Sequence, residues 1–260
     1  MGSEIRVYRE SDKQKVRSIL EMDRIWAGYA ICDLEEELFT SCDWYTAYRR
    51  DTGISLCMYF NQLQPPAQIS IGEPIGLEEI LKTTNTPKEI HGHIPLNHLQ
   101  VVKKHYHLSD LHSMKRMAVT IKSFKDANGK ANRLCDKDLP ELTELYSAHP
   151  SNFFRPYMLT SGVYCGLRIN NTLVSAAGTH VCSPSHGLAC IGNVFTHPSH
   201  QGKGYATICT NQVVKELLTR YPDVILNVDS QNTAAIKIYR KLGFREHCTF
   251  IEAKGKTMQQ

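Results

Sequence analysis

Twice along its 260 residues the sequence runs through one order of elements: strand, helix, antiparallel strands, helix, strand, helix, strand. A repeated order of this kind confines the chain to two related halves, each mixing α and β around its own core. The first pass opens on IRVYR (5–9), which alternates like a strand. Ser11-Asp12 then offers an N-cap to a helix with Val16, Ile19 and Leu20 on one face. ISLCMYF (54–60), AQISI (67–71) and EIHGHI (89–94) read as strands, GLEEILKTTN (76–85) and NHLQVVKKHY (97–106) as helices. KRMAVTIKSF (115–124) closes the pass with alternation at Met117, Val119 and Ile121.

The second pass starts at NRLCD (132–136), followed by a helix with Leu139, Leu142 and Leu145 along one side. VYCGLR (163–168) turns at Asn170-Asn171 into TLVSAAGTHVC (172–182), and LACIGNVFT (188–196) follows. A helix from Gly204 to Arg220, the strand VILNVD (224–229), a helix from Asn232 to Leu242 stopped by Gly243, and the strand CTFIEA (248–253) complete it. The polar stretch FKDANGKANR (124–133) is the expected linker, dividing the chain into 1–124 and 125–260.

Apolar residues make up 42% and charged residues 22%, ordinary for a globular chain. A net charge of +4 is too mild for a dedicated nucleic-acid binder or membrane-surface protein, so neither partner is expected. The nine cysteines are odd in number and never spaced Cys-x-x-Cys, which argues for reduced thiols in a cytoplasmic protein. The segment MGSEIRVYRESD has no apolar core of signal-peptide length, and no later segment is long and apolar enough for a bilayer. Its Met-Gly-Ser start matches only part of the myristoylation pattern.

The most informative stretch is THPSHQGKGYAT (196–207), where glycines and an alanine crowd the mouth of a helix. The first N–H groups of a helix lack intrahelical partners, and the peptide dipoles favour negative charge there. A phosphate reaches those groups only if side chains are out of the way. The Walker spacing is absent, because position 197 is His197 rather than glycine. Thr207 stands where a dinucleotide fingerprint needs its third glycine.

What fits is Gln-x-x-Gly-x-Ala at Gln201, Gly204 and Ala206, and with it the chain resembles the GCN5-related N-acetyltransferase superfamily. A second signature, Asn232-x2-Ala235-x3-Tyr239-x3-Gly243-Phe244, matches that family's last helix and turn. The resemblance covers about residues 125–260 and, more loosely, the whole chain. It implies a mixed α/β chain of two GNAT-like halves, each a central, mostly antiparallel sheet flanked by helices. Such a tandem arrangement keeps the coenzyme site only in its C-terminal half.

The resemblance also implies roles. Gly202, Lys203, Gly204, Tyr205, Ala206 and Thr207 would hold the pyrophosphate of acetyl-CoA, the co-substrate, through backbone N–H groups, and Lys203 would add charge. Val194, Phe195 and Thr196 would bond the pantetheine arm, with a bulge expected at Asn193 beside Gly192. Asn232 would touch the arm or cap the last helix, and Tyr239 would face the thioester sulfur. The backbone N–H of Val194 is the expected oxyanion donor. Tyr239 is the expected acid, although Ala235, Ile238 and Leu242 also make it readable as a core aromatic.

The base is less determined. Many relatives place a glutamate near the position of Ala189, and LACIGNVFT holds no carboxylate. A water held by backbone groups or His180 on the preceding strand could serve, and His180 also has a purely structural reading. The expected activity is acetyl transfer from acetyl-CoA to a small-molecule or peptide amine in a ternary complex, by a monomer or homodimer. The alternative is a non-catalytic acyl-CoA-binding regulatory or sensor module, and an acyl donor larger than acetyl stays open.

The first half serves as an internal control. Its equivalent helix should start near GEPIGLEEI (72–80), where the glycine motif is missing and Glu73, Glu78 and Glu79 would repel a diphosphate. The segment 25–50, acidic then aromatic, reads as a packing interface or as a wall of the acceptor pocket. Six histidines fall between His91 and His112, with His91 and His93 on one strand face. No Cys/His pairs of zinc-finger spacing accompany them, so they are read as surface histidines and no metal site is expected.

Overall fold

The computed structural model describes residues 4–148 and 153–258; the Met-Gly-Ser start lies outside them. In chain order the elements are β1 (Ile5–Arg9), α1 (Lys13–Leu20), α2 (Gly28–Cys32), α3 (Glu36–Phe39), β2 (Cys42–Arg49), β3 (Thr52–Phe60), β4 (Ala67–Gly72) and α4 (Pro74–Thr83). Then come β5 (Glu89–Pro95), α5 (Leu99–His105), β6 (Tyr106–Val119), β7 (Asn132–Arg133), α6 (Leu139–Ser147), α7 (Pro156–Ser161) and β8 (Tyr164–Ile169). The chain ends with β9 (Thr172–Ser183), β10 (Leu188–Thr196), α8 (Tyr205–Leu217), β11 (Asp223–Asp229), α9 (Thr233–Lys241) and β12 (Arg245–Thr257).

The described residues pack as two units, one of 4–116, 229–231 and 247–258, the other of 117–228 and 232–246. In the first unit the strand order is β1-β2-β3-β4-β5-β12. From β1 through β5 to β12 the pairings are antiparallel except β4 with β5. One face buries Val16, Ile19 and Leu20 of α1 with Trp26, Trp44, Leu56 and Phe250. The other buries Leu77, Ile80 and Leu81 of α4 with Cys57, Tyr59, Ile90 and Ile94. Asp12 caps α1, accepting from the backbone N–H of Gln14 at 2.9 Å.

In the second unit the order is β7-β8-β9-β10-β11. Here β10 and β11 are the parallel pair, and the pairings of β7 with β8, β8 with β9 and β9 with β10 are antiparallel. The central core joins Cys209, Val213 and Leu217 of α8 to Ile236 and Tyr239 of α9 and to Ala189, Ile191 and Val224 of the strands. Both units thus place one parallel pair next to a helix that begins just after a strand.

The packing moves the last strand. The sequence boundary gives CTFIEA to the second half, whereas β12 pairs with β5 from Phe250 to Lys256 and belongs to the first unit. The cause is Phe250, wholly buried against the Trp26 ring at 5.2 Å, with the Arg116 guanidinium over both rings. The expected linker is also pinned. Buried Asn211 of α8 donates to the Ala127 carbonyl at 3.1 Å and accepts from its N–H at 2.9 Å.

Segment 25–50 supplies α2, α3 and β2, and Trp26, Ala30, Ile31, Leu34 and Trp44 are buried within the first unit. His98 is a correction to the surface reading of the histidines. It is fully buried and bridges the Ser70 hydroxyl and the Gly72 carbonyl, each at 2.9 Å. All nine cysteines are free thiols. No helix among the described residues is long and apolar enough to cross a membrane.

Candidate active site

The site begins where β10 stops behaving as an ordinary strand. Its parallel ladder with β11 runs from Leu188 to Ile191 and stops before Gly192. On the β9 side the register jumps. Gly192 pairs with Gly178 and Phe195 with Ala176, so Asn193 and Val194 carry one extra residue, a bulge. Asn193 sits at φ 53°, the left-handed region that asparagine tolerates best among residues with a side chain. The Tyr146 hydroxyl donates to its carbonyl, and its side-chain amide donates to the Tyr164 hydroxyl at 2.8 Å. Tyr164 in turn donates to the Thr179 carbonyl at 3.0 Å.

Sequence reasoning located the bulge but missed these two tyrosines. Their signal was a pair of phenols among apolar residues, each needing a hydrogen-bond partner once buried. Burial raises the pKa of both, so each keeps the proton it donates.

A second register jump places His180. Cys190 pairs with Val181 and Ile191 with Thr179, leaving His180 as the extra residue of β9. A bulge of this type re-aims the side chain it carries. A Cβ added at Gly192 would come within 3.1 Å of the His180 Cβ, so the imidazole stands beside the start of the β10 bulge. Desolvation lowers its pKa, keeping the ring neutral to lower pH than an exposed histidine.

Beyond β10, the Gln201 side-chain amide returns to the Thr196 carbonyl at 3.1 Å and fixes the loop to the strand end. Gly202 and Gly204 then take φ +77° and +82°, and a Cβ added to either would meet nothing within 4 Å. No described group accepts from the N–H of Gly202, Lys203 or Gly204. Tyr205, Ala206 and Thr207 form the first turn of α8, whose leading N–H groups have no intrahelical acceptor. Lys203 is exposed and makes no ion pair among the described residues.

Asn232 caps α9, its side-chain oxygen accepting from the Ala235 N–H at 3.0 Å. Tyr239 is 7% exposed and shares the central apolar cluster with Ile191, against which Val194 packs. Burial pushes its phenol up to about 12. Ala189, where the resemblance leads one to expect a glutamate, is wholly buried between Cys182 and Val224.

The bare helix mouth and the nearby ammonium suit an anionic ligand. The comparisons with known proteins point to one family. Residues 131–244 match the acetyltransferase (GNAT) family. Mycothiol acetyltransferase of Tsukamurella paurometabola is 37% identical over 70 residues, 26% of this chain and 24% of that protein. The match therefore spans about a quarter of the curated relative's length. At the level of fold, a Drosophila protein aligns over 98% of this chain and 99% of its own, with TM-score 0.72 and 11% identity. A tandem GNAT protein from the clavulanic acid biosynthesis pathway aligns over 97% of this chain and 98% of its own, with TM-score 0.57 and 10% identity. Over residues 131–244, then, the chain carries a domain of the acetyltransferase (GNAT) family, a family of acyltransferases.

Proposed function

We propose that the second unit binds acetyl-CoA and transfers the acetyl group to a primary amine by direct attack, with both substrates bound at once. The observation that carries this reading is the open mouth of α8, lined by Gly202 and Gly204, on the loop that follows the bulged end of β10. The N–H groups of Gly202–Thr207 and the Lys203 ammonium would hold the diphosphate. Val194, Phe195 and Thr196 would bond the pantetheine arm, with Asn232 beside it through the amide hydrogens its capping role leaves free. The coenzyme brings a thioester carbonyl open to nucleophilic attack.

The chain supplies the proton transfers. His180, neutral at physiological pH because it is desolvated, accepts the proton the amine must lose. The Val194 N–H donates to the carbonyl oxygen as negative charge develops there. Tyr239 holds its proton at any assay pH, and its hydroxyl makes no hydrogen bond among the described residues. It is therefore free to donate to the departing sulfur. The acceptor is a small-molecule or peptide amine. In the first unit, the counterpart helix α4 has lost the coenzyme site.

One observation favours a second reading, acyl-CoA binding without turnover: Ala189 replaces the carboxylate that would draw a proton from the amine. Thiol release from acetyl-CoA over a panel of amines, peptides and aminoglycosides separates the two. Release with any acceptor supports transfer. Calorimetric binding of CoA with no release across the panel supports the second reading, and no binding at all defeats both.

A further inference from the structure

The histidine-rich stretch of the first unit was read from sequence as surface chemistry, and strand register changes that reading. His91 and His93 alternate along β5 and so project from one face. β12 runs antiparallel beside it and sets Glu252 directly opposite His93. The Glu252 carboxylate lies 2.9 Å from His91 Nε2 through one oxygen and 3.9 Å from His93 Nε2 through the other. One ligand atom from each of the three side chains falls within 4.8 Å of the others. The imidazole rings are 5.3 Å apart and inclined at 64°, so both nitrogens converge on the carboxylate.

We propose that His91, His93 and Glu252 form a binding site for one divalent transition-metal ion of the zinc type. Zinc takes imidazole nitrogen and carboxylate oxygen at about 2.0–2.2 Å, which sets tetrahedral ligand atoms roughly 3.3 Å apart. The separations of 2.9 and 3.9 Å bracket that spacing, so small rotations of the side chains close the set. Two nitrogens with one oxygen select such an ion over magnesium, which prefers an octahedron of oxygens.

The surroundings support the assignment. The three side chains are only 22–30% exposed. The same sheet face is apolar at Ile69, in register with His93, and at Phe250, whose ring lies 6.0 Å from that of His93. Lys254, opposite His91, is the nearest cation on β12, and its ammonium is drawn to Asp110 at 2.9 Å. A water molecule would complete a tetrahedral set of four. The ladder between β5 and β12 fixes both strands, so the ligand set is largely organised before an ion arrives.

The test uses the full chain, stripped with a chelator and dialysed, then titrated calorimetrically with zinc chloride and separately with magnesium chloride. Cobalt(II) substitution, read by visible absorption, reports ligand geometry. The expected result is one zinc per chain, no magnesium heat, and tetrahedral or five-coordinate cobalt bands. His93→Ala and the near-isosteric Glu252→Gln should each weaken zinc by more than the roughly 10–100-fold that loss of an outer partner costs. Zinc should also raise the wild-type Tm and leave that of the His93→Ala/Glu252→Gln double variant unchanged. Absence of zinc binding overturns the proposal, as does equal binding by magnesium. So does unaltered zinc affinity in Glu252→Gln with native circular dichroism, which would put the ion on other residues.

Discussion

Two helices of this chain start just after a strand and near a pair of glycines, and only one has an open mouth. At α8, a Cβ on Gly202 or Gly204 would meet no described group within 4 Å. At α4, a Cβ on Gly72 would lie 2.8 Å from the Ser55 Cα, and one on Gly76 would lie 2.6 Å from the Ser55 Cβ. Those glycines are needed to pack α4 against β3. The mouth of α4 is also filled in chemical terms. Pro74 removes one N–H, and Arg49 closes on Glu73 through two hydrogen bonds of 3.2 and 2.7 Å. The Lys104 hydrogen bond holds the Glu78 carboxyl below its usual range against partial burial, so negative charge persists at this helix. A glycine points to a ligand only where the volume it vacates stays empty.

The largest effect should come from making the open mouth resemble the closed one. Gly204→Glu places a carboxylate where a diphosphate would sit, at a backbone angle that a side chain rarely adopts. Two like charges near 4 Å repel by about 4 kcal/mol at an effective dielectric of 20, so CoA affinity should fall roughly thousandfold. Calorimetric affinity within a few-fold of wild type would remove the α8 mouth from the site. Next in size is Tyr239→Phe. Loss of a positioned acid costs about 100-fold or more, and a thiol leaves readily, so kcat should fall about 100-fold with CoA affinity kept. An unchanged kcat would return Tyr239 to the core cluster as a packing residue only.

The open, glycine-lined mouth of α8 was readable in the letters, because a backbone at positive φ favours glycine. The strand before α8 and the capping Asn232 were equally readable, being local in sequence. What escaped depends on contacts between distant segments. The sequence does not show that β12 belongs with β5, since that follows from Phe250 meeting Trp26. β2 was missed because Cys42–Arg49 is buried or half-buried on both faces and shows no clean alternation. β6 begins ten residues or so before KRMAVT, at Tyr106, on exposed polar residues that carry no strand pattern. The bulge that turns His180 toward Gly192 exists only in register with β10, and the tyrosines that hold Asn193 come from α6 and β8.

His180 sets a smaller effect. His180→Ala should lower kcat/KM about tenfold at neutral pH and recover as pH rises and the amine deprotonates itself. Protonated imidazole cannot accept a proton, and desolvation shifts that protonation to lower pH. The wild-type acidic limb should therefore lie below the range of an exposed histidine. A pH–rate profile that the substitution leaves unchanged rules out the role and leaves a backbone-held water as the base.

The smallest effect belongs to the closed mouth. Glu73→Gln breaks the ion pair with Arg49, which is partly exposed, so stability should fall by no more than about 1 kcal/mol. It also lowers the negative charge at the start of α4 without opening that start, because Pro74 and the Ser55 hydroxyl bond to the Glu73 carbonyl at 2.7 Å remain. If steric closure as well as charge keeps the coenzyme out, the variant should bind CoA with wild-type affinity and one molecule per chain. A second molecule bound after this single change would show that charge alone separates the two helices, and that α4 keeps a usable anion site behind Glu73. The stoichiometry of a calorimetric titration decides between these, and it does so whether or not the amine acceptor is known.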